Sequence, residues 1–445
     1  MESIIRDYLF TYLKENKILS GKQYGFISGR STVLQLLTVM DIWTESLDKG
    51  VEVDVIYFNF QKAFDTVPHR RLIETLSYYG IRGPVLTWIS DFLTDRKLQV
   101  LVNGCKSTMY EVLSGVPQGS VLGPLLFIIY INMLIQKCET KNMFLYADDI
   151  KIFKEIRSED DMQDLQALID KMYDWTNYSL LRFHPEKCVT MRLTPTRNES
   201  KHQKGMYNMD CTRLNEVTME KDLGVYVDNK LSFHEHINII VKKANGLVSL
   251  IRRTFVHLDQ SMFKHVFTTI VRPHLEYAAP IWNPYLKKYI TMIENVQRRA
   301  TRQIPGLQQL SYKDRLKSLK LPTLEYRRYR GNMIQTYKII HNIYDIDSKS
   351  FLKARSNARS ENKSTAHCFA LAKGSFNKDQ RKYCFTNRVC DQWNNLPLYV
   401  VTAPTINAFK NRLDKIWTCN DVMYDPDNDI DITTSARNTR YAKVT

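Results

Sequence analysis

Residues 143–153 read Met143-Phe144-Leu145-Tyr146-Ala147-Asp148-Asp149-Ile150-Lys151-Ile152-Phe153, two short apolar runs around an acidic pair. Apolar and polar positions alternate on either side of Asp148 and Asp149, which predicts a strand–turn–strand hairpin with both carboxylates at its tip. Adjacent carboxylates repel each other and make poor core. They suit a hard divalent cation held between protein and phosphate. An acidic surface turn is the plainer reading, because turns favour Asp, so the company of the hairpin decides.

Upstream, Ser114-Gly115-Val116-Pro117-Gln118-Gly119-Ser120-Val121-Leu122-Gly123-Pro124 places three glycines and two prolines in one loop, which leaves the backbone little freedom. Gly119 admits close approach of a ligand, Gln118 offers an amide to a base or sugar, and Ser120 can cap a helix starting near Val121. Residues 52–60 are rich in β-branched and aromatic types and read as a largely buried strand. The strand runs into Gln61-Lys62-Ala63-Phe64-Asp65-Thr66-Val67-Pro68-His69, with Asn59 at its C-terminal end, where sheets commonly carry site residues. Helices are predicted over 70–79 and 85–93, then a hairpin pair at 98–102 and 110–113 turned at Asn103-Gly104. Nearer the start, a surface helix over 1–14 precedes the loop Gln23-Tyr24-Gly25-Phe26-Ile27-Ser28-Gly29-Arg30-Ser31-Thr32 and a helix to Leu47. Arg30 there faces either a phosphate or solvent.

Downstream of the acidic pair, 160–177 is an amphipathic helix, and 181–193 a loop entering a strand with Lys187 at the junction. A polar insertion over 194–208 and a strand over 221–228 follow, and from Phe233 onward the pattern is helical almost throughout. Leu286, Ile290, Ile293, Gln297, Ala300 and Ile304 form one helix face, with Arg298, Arg299 and Arg302 on its other side. Lys313, Arg315, Lys317, Lys320, Arg327, Arg328 and Arg330 follow, interleaved with Tyr312, Tyr326 and Tyr329, a density that predicts contacts to a nucleic-acid backbone. The segment 421–445, with Asp425-Pro426-Asp427-Asn428-Asp429, reads as a disordered tail.

Composition is consistent with this. A chain of 445 residues, 44% hydrophobic, can bury a sizeable core in two to three domains. Its formal net charge of +16 points to a polyanionic partner, above all nucleic acid. The eight cysteines include no Cys-x-x-Cys pair, which argues against a zinc module or disulfide scaffold and suits a reducing compartment. The charged start is no signal peptide, and the longest apolar stretch, 121–135, is broken by Gly123, Pro124 and Asn132. It falls short of the roughly 20 residues of a membrane span. The expectation is a soluble intracellular protein, neither secreted nor bound to a membrane.

In this order and spacing the phrases resemble the palm of a reverse transcriptase, closest to LINE-type (non-LTR) retrotransposon polymerases of the jockey-like group. The phrases are 23–32, Lys62 to His69, Ser114 to Pro124, Tyr146-Ala147-Asp148-Asp149 and Leu223-Gly224-Val225. Arg272-Pro273-His274-Leu275-Glu276-Tyr277 and Gln297-Arg298-Arg299-Ala300-Thr301-Arg302 match that group as well. The resemblance implies an α+β right-hand polymerase fold: partial fingers over 1–50, an antiparallel-sheet palm over 51–232, a helical thumb over 233–345 and a helical extension over 346–420. It implies an RNA-directed DNA polymerase working on an RNA template, a DNA primer strand and dNTPs, with two Mg²⁺ or Mn²⁺ ions. Its expected location is a ribonucleoprotein of nucleus and cytoplasm. Carried over by position, Asp148, Asp149 and Asn59 occupy the catalytic positions, and Asp148, Asp149 and Phe60 those of the metal ligands. Phe60, Gln61, Lys62, Ala63, Phe64, Gln118, Gly119 and Lys187 would contact the nucleotide, with the N–H groups of 61–64 cradling the triphosphate and Phe64 against the sugar 2′ position. Leu223, Gly224 and Val225 would grip the primer, and Arg30, Arg298, Arg299 and Arg302 would hold template and duplex.

Two departures accompany the match. The family's first-strand motif reads aromatic-x-Asp-Phe-x-Lys-Ala-Phe-Asp, and Asn59 stands at its first Asp. An amide oxygen is neutral and a weak ligand for a hard dication, so metal binding should weaken and turnover fall by orders of magnitude. Asp54 lies on the opposite strand face, about 16 Å away at ~3.3 Å per residue, and Asp65 lies beyond the strand, so neither replaces it. The second departure is a start just inside the fingers, with no endonuclease segment ahead of Met1. The alternative function is a catalytically dead nucleic-acid-binding remnant of such an element.

Overall fold

Glu52 to Phe58 forms the central strand of a five-stranded sheet. Numbered along the chain, the strands are β1 (Glu52–Phe58), β2 (Met143–Tyr146), β3 (Asp149–Ile156), β4 (Val189–Leu193) and β5 (Asn215–Glu216). They lie in the order β5-β4-β1-β3-β2. All neighbours are antiparallel except β5 and β4. The computed structural model describes residues 1–195, 205–255, 257–347, 351–355, 367–418 and 423–425. These divide into two compact units, Met1–Gln35 with Gly50–Leu223, and Leu36–Lys49 with Gly224–Thr445. The sheet belongs to the first.

One face of that sheet presents Ile56, Phe58, Leu145, Ile150 and Ile152 to a core shared with the helices Glu2–Glu15, His69–Tyr78, Gly83–Leu93, Gly123–Cys138 and Glu159–Ser179. Helix Gly123–Cys138 is apolar around most of its circumference and therefore sits deep in the core. Each fully buried Leu, Ile or Phe there contributes about 1.5–3 kcal/mol. Asn132, which interrupts the apolar run, is itself buried and satisfied. Its Oδ1 accepts from the Ser20 N–H (2.9 Å), and its Nδ2 donates to the Ile18 carbonyl and the Tyr79 hydroxyl (3.0 Å each). Val53, Val55, Phe153 and Met191, on the opposite face of the sheet, are buried too, which is why β1 lacks polar alternation. At the sheet's other end Asp54 lies directly across from Arg192. Its carboxylate accepts from Arg192 Nε (2.6 Å), Arg192 Nη2 (2.7 Å) and the Tyr207 hydroxyl (2.6 Å).

The α+β class and the expected helices hold, with informative differences. β1 stops at Phe58, two residues early, because Asn59 to Gln61 pair with the 181–188 loop instead. The hairpin region resolves into two short pairings, Lys97–Leu98 with Tyr110–Glu111 and Leu101–Val102 with Cys105–Lys106. Its turn is at Asn103 and Gly104, both at positive φ, as a two-residue turn of this hand requires. The 221–228 stretch is not one strand, since Asp222 ends one segment, Val225 begins another, and Leu223 and Gly224 turn between them at φ of 45° and 87°. Of the 194–208 insertion, 196–204 lie outside the described residues, as does the tail from 421 apart from 423–425.

The second unit is helical, with His234–Thr254, Lys287–Thr301, Leu324–Ile340, Phe385–Asn394 and Ile406–Thr418 its longer members. The segment 36–49, expected with the fingers, groups here because Asp41 accepts from Arg381 Nη1 and the Thr386 hydroxyl (2.6 Å each). Asp48 likewise accepts from the N–H groups of Asn377 and Lys378 (2.7 Å each). Along the chain, this second unit resumes at Gly224. Among the described residues no helix is long and apolar enough to cross a membrane.

Candidate active site

β2 and β3 pair from Met143↔Ile152 to Tyr146↔Asp149, leaving Ala147 and Asp148 as the turn. Ala147 adopts a φ of 56°, the left-handed region that a Cβ resists. β1 pairs with β3 as far as Phe58↔Ile150. Asn59 and Asp149 are the next residues on these two strands, and Asp148 precedes Asp149 in the turn.

Burial raises the Asp148 carboxyl above its ordinary range. Asp149 is pushed up to about 6, first by desolvation and then by Asp148 and Asp222, with Lys151 opposing. Two adjacent carboxylates raised chiefly by burial are a place prepared for positive charge. Lys151, on the same strand face as Asp149, is buried against Asp222 and forms a closed ion pair with it. Burial lowers the Lys151 ammonium, and Asp222 counteracts that. Asn59 itself is exposed. Its N–H donates to Cys188 Sγ (3.3 Å) and its carbonyl accepts from the His184 N–H (2.7 Å). Its side-chain amide has no hydrogen-bond partner among the described residues.

The nucleotide-contacting candidates fall into two joined segments. Gly115 and Val116 N–H donate to the carbonyls of Val67 and Phe64 (2.8 Å each), and Ser114 Oγ donates to the Asp65 carbonyl (2.9 Å). Gly115 is obligatory, at φ 92°, with a Cβ there 2.7 Å from the Asp65 backbone. Gln118 Nε2 donates to the Asp65 carboxylate (2.7 Å), and Gly119 beside it, at φ 80°, is exposed. Phe64 stacks on Phe127 with centroids 4.2 Å apart, half-buried. Lys62 is exposed, as is Lys187 at the end of a single turn, Pro185–Lys187.

Two assignments change. The Gln61 N–H donates to the Arg182 carbonyl (2.9 Å), so it is not free for a triphosphate; of the segment 61–64, the N–H groups of Lys62, Ala63 and Phe64 have no acceptor among the described residues. Phe60 buries its ring against Phe183 at 4.5 Å, which leaves its main-chain carbonyl alone for the metal role. Arg30 Nη1 donates to the Gln23 (2.6 Å) and Ser20 (3.3 Å) carbonyls, bracing the 20–30 loop. Of the residues expected at the primer, Val225 is fully buried, and a Cβ on Gly224 would meet the Tyr277 ring at 3.0 Å.

The run of basic residues from 298 to 330 is not a single face. Arg299, Arg302, Lys317 and Lys320 are exposed, whereas Arg315 and Arg328 are 5% and 3% exposed. Arg315 donates to the Thr301 hydroxyl (3.2 Å) and the Leu310 carbonyl (2.7 Å), and Arg328 to Asn283 (3.0 Å). Arg330 pairs with Asp414 (2.6 Å) and Arg327 with Glu276. Arg298 lies over the Tyr312 ring at 4.9 Å. Tyr312 and Tyr326 are packing residues, not stacking platforms: Tyr312 donates to the buried Glu294 (2.5 Å), and Tyr326 is buried beside Trp417.

Sequence reading missed Gln23. Its side chain is buried and bonded to Ala147 at the hairpin tip. The only signal in the sequence was its membership of the 23–32 phrase.

Comparison with known proteins gives the family. The family described as reverse transcriptase (RNA-dependent DNA polymerase) matches residues 1–245, and the chain belongs to it. The right-hand polymerase class expected for the fold follows from that membership, and the LINE-type resemblance is borne out by the relatives. The chain is 26% identical over 325 residues to the probable RNA-directed DNA polymerase from transposon BS of Drosophila melanogaster, covering 68% of this chain and 34% of that one. It is 27% identical over 322 residues to the RNA-directed DNA polymerase from mobile element jockey of Drosophila funebris, with 69% and 34% covered. The chain thus spans about a third of the length of these relatives. Apo telomerase from Candida tropicalis shares 11% identity at a TM-score of 0.40, covering 73% of this chain and 53% of that one. At that score the likeness adds nothing to the family assignment.

Proposed function

We propose that this chain is the polymerase portion of a LINE-type element, an RNA-directed DNA polymerase whose chemistry is impaired by Asn59. The observation that carries the proposal is the β1–β3 register, which ends at Phe58↔Ile150 with Asn59 and Asp149 as the next residues on the two strands. Reverse transcriptases generally use divalent ions such as Mg²⁺. The donor set supports one such ion, because Mg²⁺ is commonly held by one or two carboxylates together with substrate phosphates. It falls short of a two-ion set, since the third charged ligand is an amide. Asp148 and Asp149, with the Asn59 amide and the Phe60 carbonyl, would hold the ion. When bound, it would neutralise charge on the attacking and leaving oxygens of phosphoryl transfer.

The remaining roles belong to the chain's own groups. Lys62, Ala63 and Phe64 N–H groups and the Lys187 ammonium would receive the triphosphate of a dNTP, and Phe64, braced by Phe127, would limit space at the sugar 2′ position. Gln118 and Gly119 would line the templating base pair, with Asp65 orienting the Gln118 amide. Leu223, Gly224 and Val225 would shape the primer contact, and exposed Arg299 and Arg302 would meet phosphates of an RNA–DNA duplex. Nucleus and cytoplasm, in a ribonucleoprotein, are the proposed locations.

The Asn59 side chain also favours a second reading, a nucleic-acid-binding protein without turnover. Primer extension on RNA, run beside filter binding of the same primed template, separates the two. The first reading predicts slow Mg²⁺-dependent extension that Asn59→Asp accelerates. Tight duplex binding with no extension by either form supports the second.

A further inference from the structure

The turn between Asp148 and its strand is held from a distance. Gln23 lies 124 residues before Ala147, yet its Oε1 accepts from the Ala147 N–H (2.9 Å) and its Nε2 donates to the Ala147 carbonyl (3.3 Å). The same Oε1 accepts from the Gly25 N–H (2.7 Å). One amide thus grips both peptide groups of the single turn residue in the left-handed region. The approach is fixed by a main-chain bridge, Tyr24 N–H to the Leu145 carbonyl (2.7 Å) and Leu145 N–H to the Lys22 carbonyl (3.0 Å). A Cβ on Gly25 would collide with the Ala147 amide nitrogen, so only glycine permits this proximity. Gln23 is 2% exposed, so water cannot stand in for its hydrogen bonds. The chemistry selects glutamine: glutamate has no donor for the Ala147 carbonyl, and an apolar side chain leaves three buried main-chain groups unpaired.

We propose that Gln23 is a positioning residue for Asp148 and Asp149, its side-chain amide holding Ala147 in the left-handed conformation that presents the two carboxylates as one cation site. The inference rests on the metal-binding reading of the hairpin. Groups of this kind, which orient ligands without touching the ion, typically change metal affinity by about 10–100-fold when removed.

Mn²⁺ binding to the full chain, measured by calorimetry, tests it beside melting temperature, duplex affinity and amide exchange at Ala147. Gln23→Ala should weaken Mn²⁺ binding by about tenfold or more and deprotect the Ala147 amide, with duplex affinity within about twofold. Ala147→Gly, which makes the left-handed turn easy, should recover much of that loss in the double variant, a rescue that a merely structural role for Gln23 does not provide. Gln23→Glu keeps both accepted N–H bonds and serves where Gln23→Ala fails to fold; its expected loss is about threefold, smaller than full removal of such a group. Unchanged Mn²⁺ affinity in folded Gln23→Ala or Gln23→Glu, while Asp149→Asn abolishes binding, overturns the positioning role alone. Mn²⁺ binding indifferent to Asp149→Asn overturns the metal reading and the positioning role with it.

Discussion

An amide in place of a carboxylate at residue 59 alters the hairpin in two opposed ways. Without a cation it relieves repulsion, because burial first, and then Asp148 and Asp222, already push Asp149 up to about 6. With a cation it withholds a ligand. Asn59→Asp should therefore lower the melting temperature of the metal-free protein, by the equivalent of about 1 kcal/mol, and make it rise more steeply on adding Mn²⁺ than in the unaltered chain. Equal Mn²⁺ responses in the two proteins would show that residue 59 does not face the cation. The hairpin that carries Asp148 and Asp149 was legible because strand alternation on either side of a turn marks it in the sequence. Gln23 was not, because a bond spanning 124 residues leaves no local trace.

Among elements, the sheet shows how a buried charge differs from a functional one. Asp54 is no spare ligand. It is committed to Arg192 and Tyr207, whose hydroxyl is raised well above the ordinary phenol range by desolvation first and by the Asp54 charge second. Arg192→Met leaves that carboxylate uncompensated and should cost about 3–5 kcal/mol, whereas Tyr207→Phe should cost about 1.5–3 kcal/mol, both read by urea unfolding. Helices and strands were legible to within a few residues because apolar periodicity reflects burial directly. Strand ends were less so. β1 stops at Phe58 because Asn59, Phe60 and Gln61 bond to a loop more than 120 residues away, and Leu223-Gly224 breaks an alternation that reads as one strand. Charge runs misled most: Arg299 and Arg315 look alike in sequence, and only packing exposes one and buries the other.

For the whole molecule, net charge and buried titratable groups set behaviour in solution. His236 in the second unit is pushed down to about 4 by burial, with its Nδ1 accepting from the Tyr226 N–H (3.2 Å). It stays neutral in the fold while the unfolded chain protonates it below about 6.5. The native state thus binds fewer protons between about 4 and 6.5, so its stability is full above that window and falls as pH drops through it. By pH 5 the loss should be about 2 kcal/mol, and His236→Gln should flatten the dependence. Neutralising the exposed Arg302 and Lys320 should lower the slope of log affinity against log salt by roughly 0.9 for each phosphate that no longer has a cationic partner, without destabilising the fold. Arg328→Gln should destabilise it and leave the slope unchanged. The central claim, a reverse transcriptase with its first catalytic carboxylate neutralised, is tested most directly by Mg²⁺-dependent extension of a DNA primer on an RNA template. The unaltered chain should extend at a rate orders of magnitude below Asn59→Asp at equal duplex occupancy, and equal, robust extension by both would contradict it.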